Sequence, residues 1–446
     1  MDKVNARKIA LDILNDIEEN KAYSNISIRK HLRDRNISKV DRNLIRELVY
    51  GVLENKIYLD YGIRSYSKIR LKKIDKSILN VLRMSFYQLI YLDKIPKFAV
   101  VDEAVNMSKK INFKTKGFVN ALLRNFIRND LKISVDKIKS DEIEYLSVIY
   151  SHPQWLVERW LKEFGRDFTK DLLKANNETP KLTVRINTLK VKKDDLIDEL
   201  KKEKIRVAEC TYVEEGLTLE GVSNLDKLKA FKEGKFQVQD ESSMLVSKIL
   251  NPKAGDKILD VCSAPGGKAT HMAQIMNNKG QIVARDIHEH KLKLIHENSN
   301  RLGINIIKTQ KWDATNLDES QINKYDKVLV DAPCSGLGII RRKPELKYNK
   351  TSEDISSISE LQLEILNIAS KYVKLGGTLL YSTCTIEKVE NDLVVEKFLN
   401  SNKNFIVEKI EEESVLNLVG DNGFVKLYPN MEKTDGFFIA KLKKIT

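Results

Sequence analysis

Two short strings, about fifty residues apart, carry the residues best suited to covalent chemistry. Their sequences are Asp331-Ala-Pro-Cys334-Ser-Gly336 and Ser382-Thr383-Cys384-Thr385. Each follows an apolar segment that predicts a buried parallel strand, over residues 325–330 and 378–381. The carboxyl ends of such strands meet at one edge of an open α/β sheet, where ligands bind. The two strings therefore predict a site with two thiols and a carboxylate, in which a thiolate can act as a nucleophile.

A glycine-containing loop follows another predicted strand, over residues 257–261, and opens a helix. Its sequence is Cys262-Ser263-Ala264-Pro265-Gly266-Gly267-Lys268. The glycines let the backbone pass close to a ligand, and the loop matches neither the phosphate loop nor the dinucleotide fingerprint. Asp286 ends the next predicted strand, where an acid usually binds ribose hydroxyls, and Asp313 follows the third. The glycine loop and the two acids fit S-adenosylmethionine, because they include no phosphate-binding motif. We expect Arg285 to point away from that ligand.

The elements that must position these loops alternate between strand and helix from residue 255 onward. Strands are predicted over residues 257–261, 280–285, 306–310, 325–330, 378–381, 405–408 and 437–442. A long helix over 352–375 is predicted to end on Gly376-Gly377 as its C-cap. Such alternation is typical of a mostly parallel, doubly wound sheet.

The first third of the chain is predicted to be helical and is strongly basic. Apolar residues at helical spacing predict five or six helices with short connections, which form a compact bundle. Residues 1–130 hold 27 Lys and Arg against 15 Asp and Glu, whereas the remainder holds 50 against 48. This asymmetry favours a nucleic-acid-binding module attached to a nearly neutral catalytic unit. A lysine-rich solvated surface would produce the same count.

Length and composition bound the organisation of the chain. A chain of 446 residues is long for one domain. We predict a helical domain over residues 1–130, a linker over 130–150 and a catalytic domain over 236–446. Between them, over residues 145–235, we predict a connecting subdomain of mixed α/β structure that contacts RNA. No apolar run approaches the ~18–20 residues of a membrane span, and no signal peptide is visible, so we expect a cytoplasmic protein. The four cysteines are widely spaced without a CxxC pair, which argues against structural zinc and a disulfide framework. We expect a monomer that needs no metal ion.

Two family resemblances cover nearly the whole chain. Residues 1–130 are similar to the antitermination factor NusB family, in Asp41-Arg-Asn-Leu-Ile-Arg-Glu47, Val101-Asp-Glu-Ala-Val105 and Phe118-Val-Asn-Ala-Leu-Leu-Arg124. From residue 151 the chain resembles the small-subunit (16S) rRNA cytosine-5 methyltransferase B family, within the NOL1/NOP2/Sun group. Besides the two cysteine strings, the matches are Ser151-His-Pro-Gln-Trp155, Ser263-Ala-Pro-Gly-Gly-Lys268 and Ile340-Arg-Arg-Lys-Pro344. The order of the two domains is also that of this family.

The resemblance implies a reaction and a role for each residue. The reaction is S-adenosylmethionine-dependent methylation of carbon 5 of a cytidine in 16S rRNA, the equivalent of cytidine 967, through a covalent cysteine–cytosine intermediate. Cys384 is implied as the nucleophile, Cys334 as assisting resolution of the intermediate, and Asp331 as contacting the flipped cytosine near the methyl donor. The residues alone leave the choice of nucleophile open, because DNA cytosine methyltransferases use a Pro-Cys thiol that corresponds to Cys334. Lys268 is a candidate for assisting thiolate formation.

Several alternatives stay open at the level of sequence. Arg341, Arg342 and Lys343 either hold RNA phosphates near the site or form a solvated basic loop. Because the target base must leave its stack, single-stranded or loop RNA is the expected substrate, and tRNA or large-subunit rRNA are rivals to 16S rRNA. A non-catalytic RNA-binding or assembly protein would tolerate loss of the cysteines or of Gly266-Gly267, yet all are present. The expected fold is a Rossmann-like S-adenosylmethionine-dependent methyltransferase sheet preceded by an all-α NusB-like bundle.

Overall fold

The computed structural model describes residues 5–33, 37–222 and 224–446. These residues form two compact units. The first contains the chain up to Thr179 together with Ile340–Asn349, and the second contains Pro180–Ile339 and Lys350–Thr446. In the described ranges, none of the helices is long and apolar enough to cross a membrane.

The first unit is all-helical. Its helices are α1 Ala6–Asn20, α2 Ser24–Leu32, α3 Lys39–Glu54, α4 Lys56–Tyr66, α5 Lys76–Tyr91, α6 Lys97–Ile111, α7 Lys116–Arg128, α8 Glu142–Tyr150, α9 Gln154–Phe164, α10 Arg166–Ala175 and α16 Leu346–Asn349. Helix α5 is central, since its residues from Ile78 to Leu89 are buried, and α1, α3, α6 and α7 share its core. Five or six helices are predicted over residues 1–130; α1, α3, α5, α6 and α7 match the apolar patterns, and the described part of this range adds the shorter α2 and α4.

The predicted linker over residues 130–150 is wrong, because this stretch contains α8. Asp141 caps that helix by accepting a hydrogen bond from Glu144 N at 2.9 Å, and Glu142 and Glu144 occupy its first turn. Acidic residues are favourable there because they complement the positive end of the helix dipole. The charged residues that suggested a linker therefore include the acidic residues that begin α8.

Residues 340–349 complete the helical unit from a distant part of the sequence. Helix α3 ends at Glu54, and the last carbonyls of a helix lack intrahelical partners. Lys347 Nζ donates to Glu54 O at 3.0 Å, and Tyr348 Oη donates to Leu53 O at 2.7 Å. The side chain of Lys347 is fully buried, and burial lowers its pKa to about 7, opposed by the nearby Glu54 carboxyl. The segment thus caps α3 with side-chain donors.

The three basic residues expected near the site lie in or beside this docked segment. Arg341 is only 8% exposed, and Lys343 Nζ lies 4.6 Å from the ring centroid of Tyr23. The Glu345 carboxylate accepts a hydrogen bond from Ser24 N at 2.9 Å. Arg341 is therefore not part of a solvated loop, and contact of these residues with RNA phosphates stays a prediction.

The second unit combines two sheets. Its strands are β1 Leu182–Ile186, β2 Arg206–Glu209, β3 Gly216–Glu220, β4 Phe236–Val238, β5 Lys257–Asp260, β6 Gln281–Asp286, β7 Ile307–Lys311, β8 Tyr325–Asp331, β9 Val373–Thr383, β10 Phe405–Val407, β11 Val425–Leu427 and β12 Phe437–Lys444. Its helices are α11 Lys193–Lys202, α12 Lys229–Lys232, α13 Glu241–Leu250, α14 Gly267–Ile275, α15 Glu289–Leu302, α17 Ser352–Ser370 and α18 Asp392–Ser401.

The larger sheet has the predicted doubly wound character. Its order is β10-β12-β9-β8-β5-β6-β7, with β11 paired to β12. Strands β9, β8, β5, β6 and β7 are mutually parallel. At one side, β12 pairs antiparallel with β9, and both β10 and β11 pair antiparallel with β12. The smaller sheet is antiparallel in the order β2-β3-β1-β4. Along the chain, β6 and β7 are added on one side of β5 and β8 and β9 on the other, so the strand order reverses at β5. The loops after β5 and β8 lie side by side at this point, where ligands of such sheets bind.

The predicted glycine C-cap of the long helix is wrong. Helix α17 ends at Ser370, and Gly376 and Gly377 lie within β9. The pairing of β9 with β8 shifts register between Tyr325 and Lys327, so the glycines form a bulge. Gly376 has φ +75°, and a Cβ on Gly377 would lie 2.8 Å from Asp326 O. Glycine is required here because the strand is irregular. A helix C-cap also requires glycine, so the two features have the same local sequence pattern.

Candidate active site

The pairing of β8 with β9 brings the two cysteine strings together. Asp331, the last residue of β8, is in register with Ser382 of β9, and Ala332 N donates to Ser382 O at 2.9 Å. Ser382 Oγ donates to Asp331 Oδ1 at 2.9 Å. The two loops that follow these strands therefore leave the sheet from adjacent positions at its carboxyl edge.

The two thiols predicted from these strings are in contact. Cys334 Sγ lies 3.2 Å from Cys384 Sγ. The hydrogen bond between the thiols and the burial of Cys334 raise the pKa of Cys334 well above its ordinary value. Cys334 therefore keeps its proton at neutral pH and can donate it to the sulfur of Cys384.

Lys268 joins the cofactor loop to the cysteine site. Its ammonium lies 2.6 Å from Asp331 Oδ2 and 5.1 Å from the ring centroid of Phe437. Asp331 is thus bound through both oxygens, by Lys268 and Ser382, while its side chain stays 28% exposed. The sequence made Lys268 a candidate for assisting thiolate formation, which stays a prediction; in the structure its ammonium pairs with the Asp331 carboxylate.

A buried carboxylate that the sequence did not single out connects the loops after the two cysteines. Glu390 Oε2 accepts from Ser335 N at 2.7 Å, and Glu390 Oε1 accepts from Ser335 Oγ at 2.5 Å. Thr385 Oγ1 also donates to Glu390 Oε1, at 3.3 Å. Burial raises the pKa of Glu390, and the hydrogen bonds from Ser335 oppose that rise.

The same loops also touch through their backbones. Gly338 N donates to Cys384 O at 3.1 Å, and Gly436 N donates to Gly338 O at 2.8 Å. A Cβ on Gly338 would lie 2.1 Å from Gly436 O, which is closer than two such atoms can approach. Gly338 is therefore a point of close backbone approach.

The loop over residues 262–268 has the geometry of a small-molecule cradle. Gly266 has φ +93°, a left-handed conformation that favours glycine, and its Cβ would lie 3.1 Å from Ile295. Burial raises the pKa of Asp260 to about 7, and hydrogen bonds from the Ser263 side chain and the Cys262 backbone oppose that rise. The loop therefore turns closely around the buried end of β5, at the sheet edge where ligands of such folds bind.

The two acids predicted to contact that ligand follow adjacent parallel strands. Asp286 ends β6, and its Oδ1 accepts from His288 N at 2.9 Å. Asp313 follows β7, and hydrogen bonds from Thr315 lower its pKa. Because the sheet order is β5-β6-β7, the loop and both acids lie at one edge. Because successive residues of a strand point to opposite faces of the sheet, Arg285 points away from the side of Asp286. Its guanidinium nitrogen lies 2.5 Å from Asp318 Oδ2.

These residues fit S-adenosylmethionine better than a phosphate ligand. The cation of the loop, Lys268, is paired with Asp331, and the buried Asp260 would repel a phosphate. A cationic sulfonium ligand meets no such repulsion beside Asp260. The loop backbone over residues 262–268 and the carboxylates of Asp286 and Asp313 are the groups that would hold it.

Arg185 is another residue of this site to which the sequence gave no role. It lies on β1 and is buried, and its guanidinium donates to Gly267 O at 2.9 Å and to Thr270 Oγ1 at 3.1 Å. It also donates to Gln239. The smaller sheet thus supports the start of α14. The sequence signal for this role was an arginine within an apolar strand, because a charged side chain is buried only when hydrogen bonds or ion pairs satisfy it.

Comparisons with known proteins agree with this geometry. The family model for the 16S rRNA methyltransferase RsmB/F matches residues 247–443. The NusB family model matches residues 4–128, and a model for the RsmF/B-like ferredoxin-like domain matches residues 152–226. The crystal structure of PH0851 covers 99% of this chain and 99% of its own, with TM-score 0.83 and 28% identity. That of NSun6 from Pyrococcus horikoshii with SFG covers 67% of this chain and 100% of its own, with TM-score 0.61 and 28% identity.

Curated relatives match over the full length. A probable ribosomal RNA small subunit methyltransferase B of Bacillus subtilis is 39% identical over 450 residues, which cover 100% of both chains. The ribosomal RNA small subunit methyltransferase B of Proteus mirabilis is 31% identical, with 92% of each chain covered. The matched family models thus agree with the structure, in which a helical region precedes the methyltransferase sheet. The chain belongs to the S-adenosylmethionine-dependent ribosomal RNA small subunit methyltransferase B family.

Proposed function

We propose that this protein methylates carbon 5 of a single cytidine in 16S rRNA, with Cys384 as the nucleophile. The observation that carries the proposal is the contact of the Cys334 and Cys384 thiols at 3.2 Å, next to the Asp331–Lys268 pair. Carbon 5 of cytosine is a poor nucleophile, because it belongs to an aromatic ring. A thiolate that adds to carbon 6 converts the ring to an enamine, and carbon 5 can then attack an activated methyl group. S-adenosylmethionine supplies that methyl group.

The contact between the two thiols supports complementary roles for them. A protonated Cys334 can donate to the Cys384 sulfur, and the choice of Cys384 as the nucleophile follows the family resemblance. After methyl transfer the carbon 5 proton is lost to water, the bond from carbon 6 to Cys384 breaks, and its electron pair returns to the sulfur. The Cys334 thiol is 3.2 Å from that sulfur and can protonate it, which favours release of the RNA.

Asp331 and Lys268 are assigned to the polar edge of the cytosine. Addition at carbon 6 places negative charge on the ring, and a proton delivered to nitrogen 3 neutralises it. The Lys268 ammonium is bonded to Asp331 Oδ2 and is the proton source, and it takes the proton back from nitrogen 3 when the Cys384 thiolate leaves and the aromatic ring is restored. Ser382 fixes the other carboxylate oxygen. The pair also connects the donor loop to the target base, which helps to bring the methyl group and carbon 5 together.

RNA contact is assigned to the helical unit as well as to the sheet edge. Residues 104–129 contain six Lys and Arg and no Asp or Glu, and Lys109, Lys110, Lys114 and Lys116 are exposed. Such a run is a favourable surface for RNA phosphates. A 16S rRNA substrate implies a cytoplasmic protein, and the equivalent of cytidine 967 is the proposed target.

Labelled S-adenosylmethionine and 16S rRNA from a strain that lacks the gene provide the direct test. One modified position, mapped as 5-methylcytidine, is the expected result. Modification of tRNA or 23S rRNA instead would replace the proposed substrate, and label on a base atom other than carbon 5 would refute the chemistry.

Cysteine variants test the proposed roles separately. Cys384→Ala should abolish turnover, because no covalent adduct forms, whereas Cys334→Ala should accumulate a protein–RNA adduct on denaturing gels. Cys210→Ala, which alters a free thiol between β2 and β3, is the matched control and should leave turnover unchanged. Adduct in Cys384→Ala and none in Cys334→Ala would reverse the two assignments.

A further inference from the structure

The carboxylate of Glu390 contacts residues next to both cysteines: it belongs to the loop that follows Cys384, and it is 55 positions from Ser335. It is fully buried just before α18. Its Oε2 accepts from Ser335 N and, at 3.2 Å, from Gln362 Nε2. Its Oε1 accepts from the hydroxyls of Ser335 and Thr385. Each carboxylate oxygen therefore has a distinct pair of donors, two N–H groups on one and two O–H groups on the other.

This degree of bonding is what makes a buried carboxylate tolerable. Removing an unpaired carboxylate from water is costly, and only several well-placed donors offset the cost. Ser335 directly follows Cys334, and Thr385 directly follows Cys384. The four donors are thus arranged so that satisfying Glu390 also fixes the relative position of the two cysteine loops.

The Cys334 loop depends on this carboxylate more than the Cys384 loop does. On the Cys334 side, Ser335 bonds to Glu390 directly, and Gln362 bridges from Glu390 to Pro333 O at 2.9 Å. The residues on both sides of Cys334 are therefore held by Glu390 and its partner.

The Cys384 loop has supports of its own. Thr383 Oγ1 donates to Asn391 Oδ1 at 2.6 Å, and Asn391 Nδ2 donates to Thr385 O at 3.0 Å. Gly338 N, four residues after Cys334, binds the carbonyl of Cys384 and keeps the far end of the Cys334 loop attached. Loss of the Glu390 carboxylate would consequently loosen the residues next to Cys334 while Cys384 stays in place.

We propose that Glu390 is a positioning residue that holds Cys334 against Cys384 for release of the methylated RNA. The inference rests on the proposed function for the role of Cys334, and on the Ser335, Gln362 and Thr385 bonds for the placement. Glu390 touches neither thiol, and it acts through Ser335 and Gln362 on the backbone that carries Cys334.

Two substitutions of Glu390 separate positioning from general damage. In Glu390→Gln the amide oxygen can accept from Ser335 N and Gln362, while the amide nitrogen can donate to the hydroxyls of Ser335 and Thr385. All four contacts are retained, so this variant should behave as the wild type. Glu390→Ala removes them all, and Glu396→Ala, at an exposed position of α18, is the matched control.

The first measurement is hydrogen exchange of the peptide over residues 332–338, which requires no RNA. Protection of this peptide should fall about tenfold or more in Glu390→Ala, because Ser335 N–H loses its acceptor, and stay near wild type in Glu390→Gln. Unchanged protection in Glu390→Ala would overturn the placement. This result is independent of the proposed reaction.

The second measurement is the protein–RNA adduct together with turnover. Glu390→Ala should accumulate adduct, lose turnover about tenfold or more, and bind S-adenosylmethionine as the wild type does. Combination with Cys334→Ala should add nothing, because both changes remove the same step. Gln362→Met, which breaks the bridge to Pro333 O, should give the same adduct if Glu390→Ala fails to fold.

The outcomes distinguish the two proposals. Normal release in Glu390→Ala, with adduct in Cys334→Ala, would overturn the positioning role while the proposed function stands. Absence of adduct in Cys334→Ala would refute the proposed role of that thiol, and hydrogen exchange would still decide whether Glu390 holds its loop.

Discussion

Gly338 offers the sharpest test of how closely the two cysteine loops must approach. The substitution Gly338→Ala adds one methyl group where backbone lies on two sides. Its Cβ would be 2.1 Å from Gly436 O and 2.9 Å from Cys384 O. Neither atom belongs to a flexible side chain, so the clash can be relieved only by movement of backbone.

The size of that movement follows from the contact distance. Ordinary contacts of a Cβ begin at 3.4 Å, so Gly338 and Gly436 must separate by more than about 1 Å. Gly338 N also bonds to Cys384 O, so the shift is transmitted to the Cys334–Cys384 contact. Misplacement of reacting groups by ~1 Å can cost ~10²-fold in rate, which corresponds to about 2.7 kcal/mol of transition-state stabilisation. The crowding itself should destabilise the fold by about 1–3 kcal/mol.

The assay is single-turnover methyl transfer at saturating donor and RNA, with melting temperature and donor affinity measured in parallel. We expect a rate about 10²-fold lower, with the Kd for S-adenosylmethionine near that of the wild type. Gly117→Ala is the matched control, because a Cβ there meets nothing within 4 Å. That variant should retain its activity and gain about 0.5–1 kcal/mol of stability from helix propensity.

A folded Gly338→Ala protein that turns over at nearly the wild-type rate would refute the reasoning. It would mean that the loops tolerate a shift of more than ~1 Å, and that the distance between the thiols does not limit the reaction.

Two further predictions concern stability and RNA affinity. Burial raises the pKa of Asp260 from 3.8 to about 7, so the folded state binds more protons than the unfolded state between these values. Stability should therefore fall as pH rises through that window, by about 4 kcal/mol in total, and Asp260→Asn should flatten the dependence measured by denaturant unfolding. Reversing Lys109 and Lys110 to Glu should weaken RNA binding and reduce the slope of log affinity against log salt by roughly 1.4–1.8, if each lysine neutralises one phosphate. The same reversal at Lys397 and Lys403, exposed in α18 and just after it, should leave the slope unchanged. Equal effects of the two pairs would contradict an RNA surface on the helical unit.

The sequence predicted the loops that carry the site because strand ends are a local signal. Apolar runs followed by a polar string located β8, β9 and the cofactor loop, and parallel pairing then required Asp331 and Ser382 to be neighbours. The expectation that Arg285 points away from the ligand agrees with strand geometry, since successive residues of a strand face opposite ways. These inferences need only the order of elements along the chain.

What the sequence could not predict depends on contacts between distant residues. Glu390 is 55 positions from Ser335, and in sequence it is one acid among many near a helix start. Gly376 and Gly377 follow a helix, so a C-cap and a strand bulge give the same local pattern, and only the pairing with β8 distinguishes them. The docking of residues 340–349 has no periodic signal, because it depends on single side chains such as Lys347 that reach the end of α3.

That docked segment has a consequence for the order in which the protein is made. The helical unit includes residues up to Thr179, yet its last ten residues are synthesised after β8. At about 5–20 residues per second, translation from Thr179 to Asn349 takes roughly 10–30 s. During that interval the carbonyls at the end of α3 have no side-chain donors from Lys347 and Tyr348, so the unit is incomplete on the ribosome. Its completion therefore waits until four of the eight strands of the larger sheet, β5 to β8, have been translated, and nascent chains that stop before residue 340 carry an unfinished helical unit.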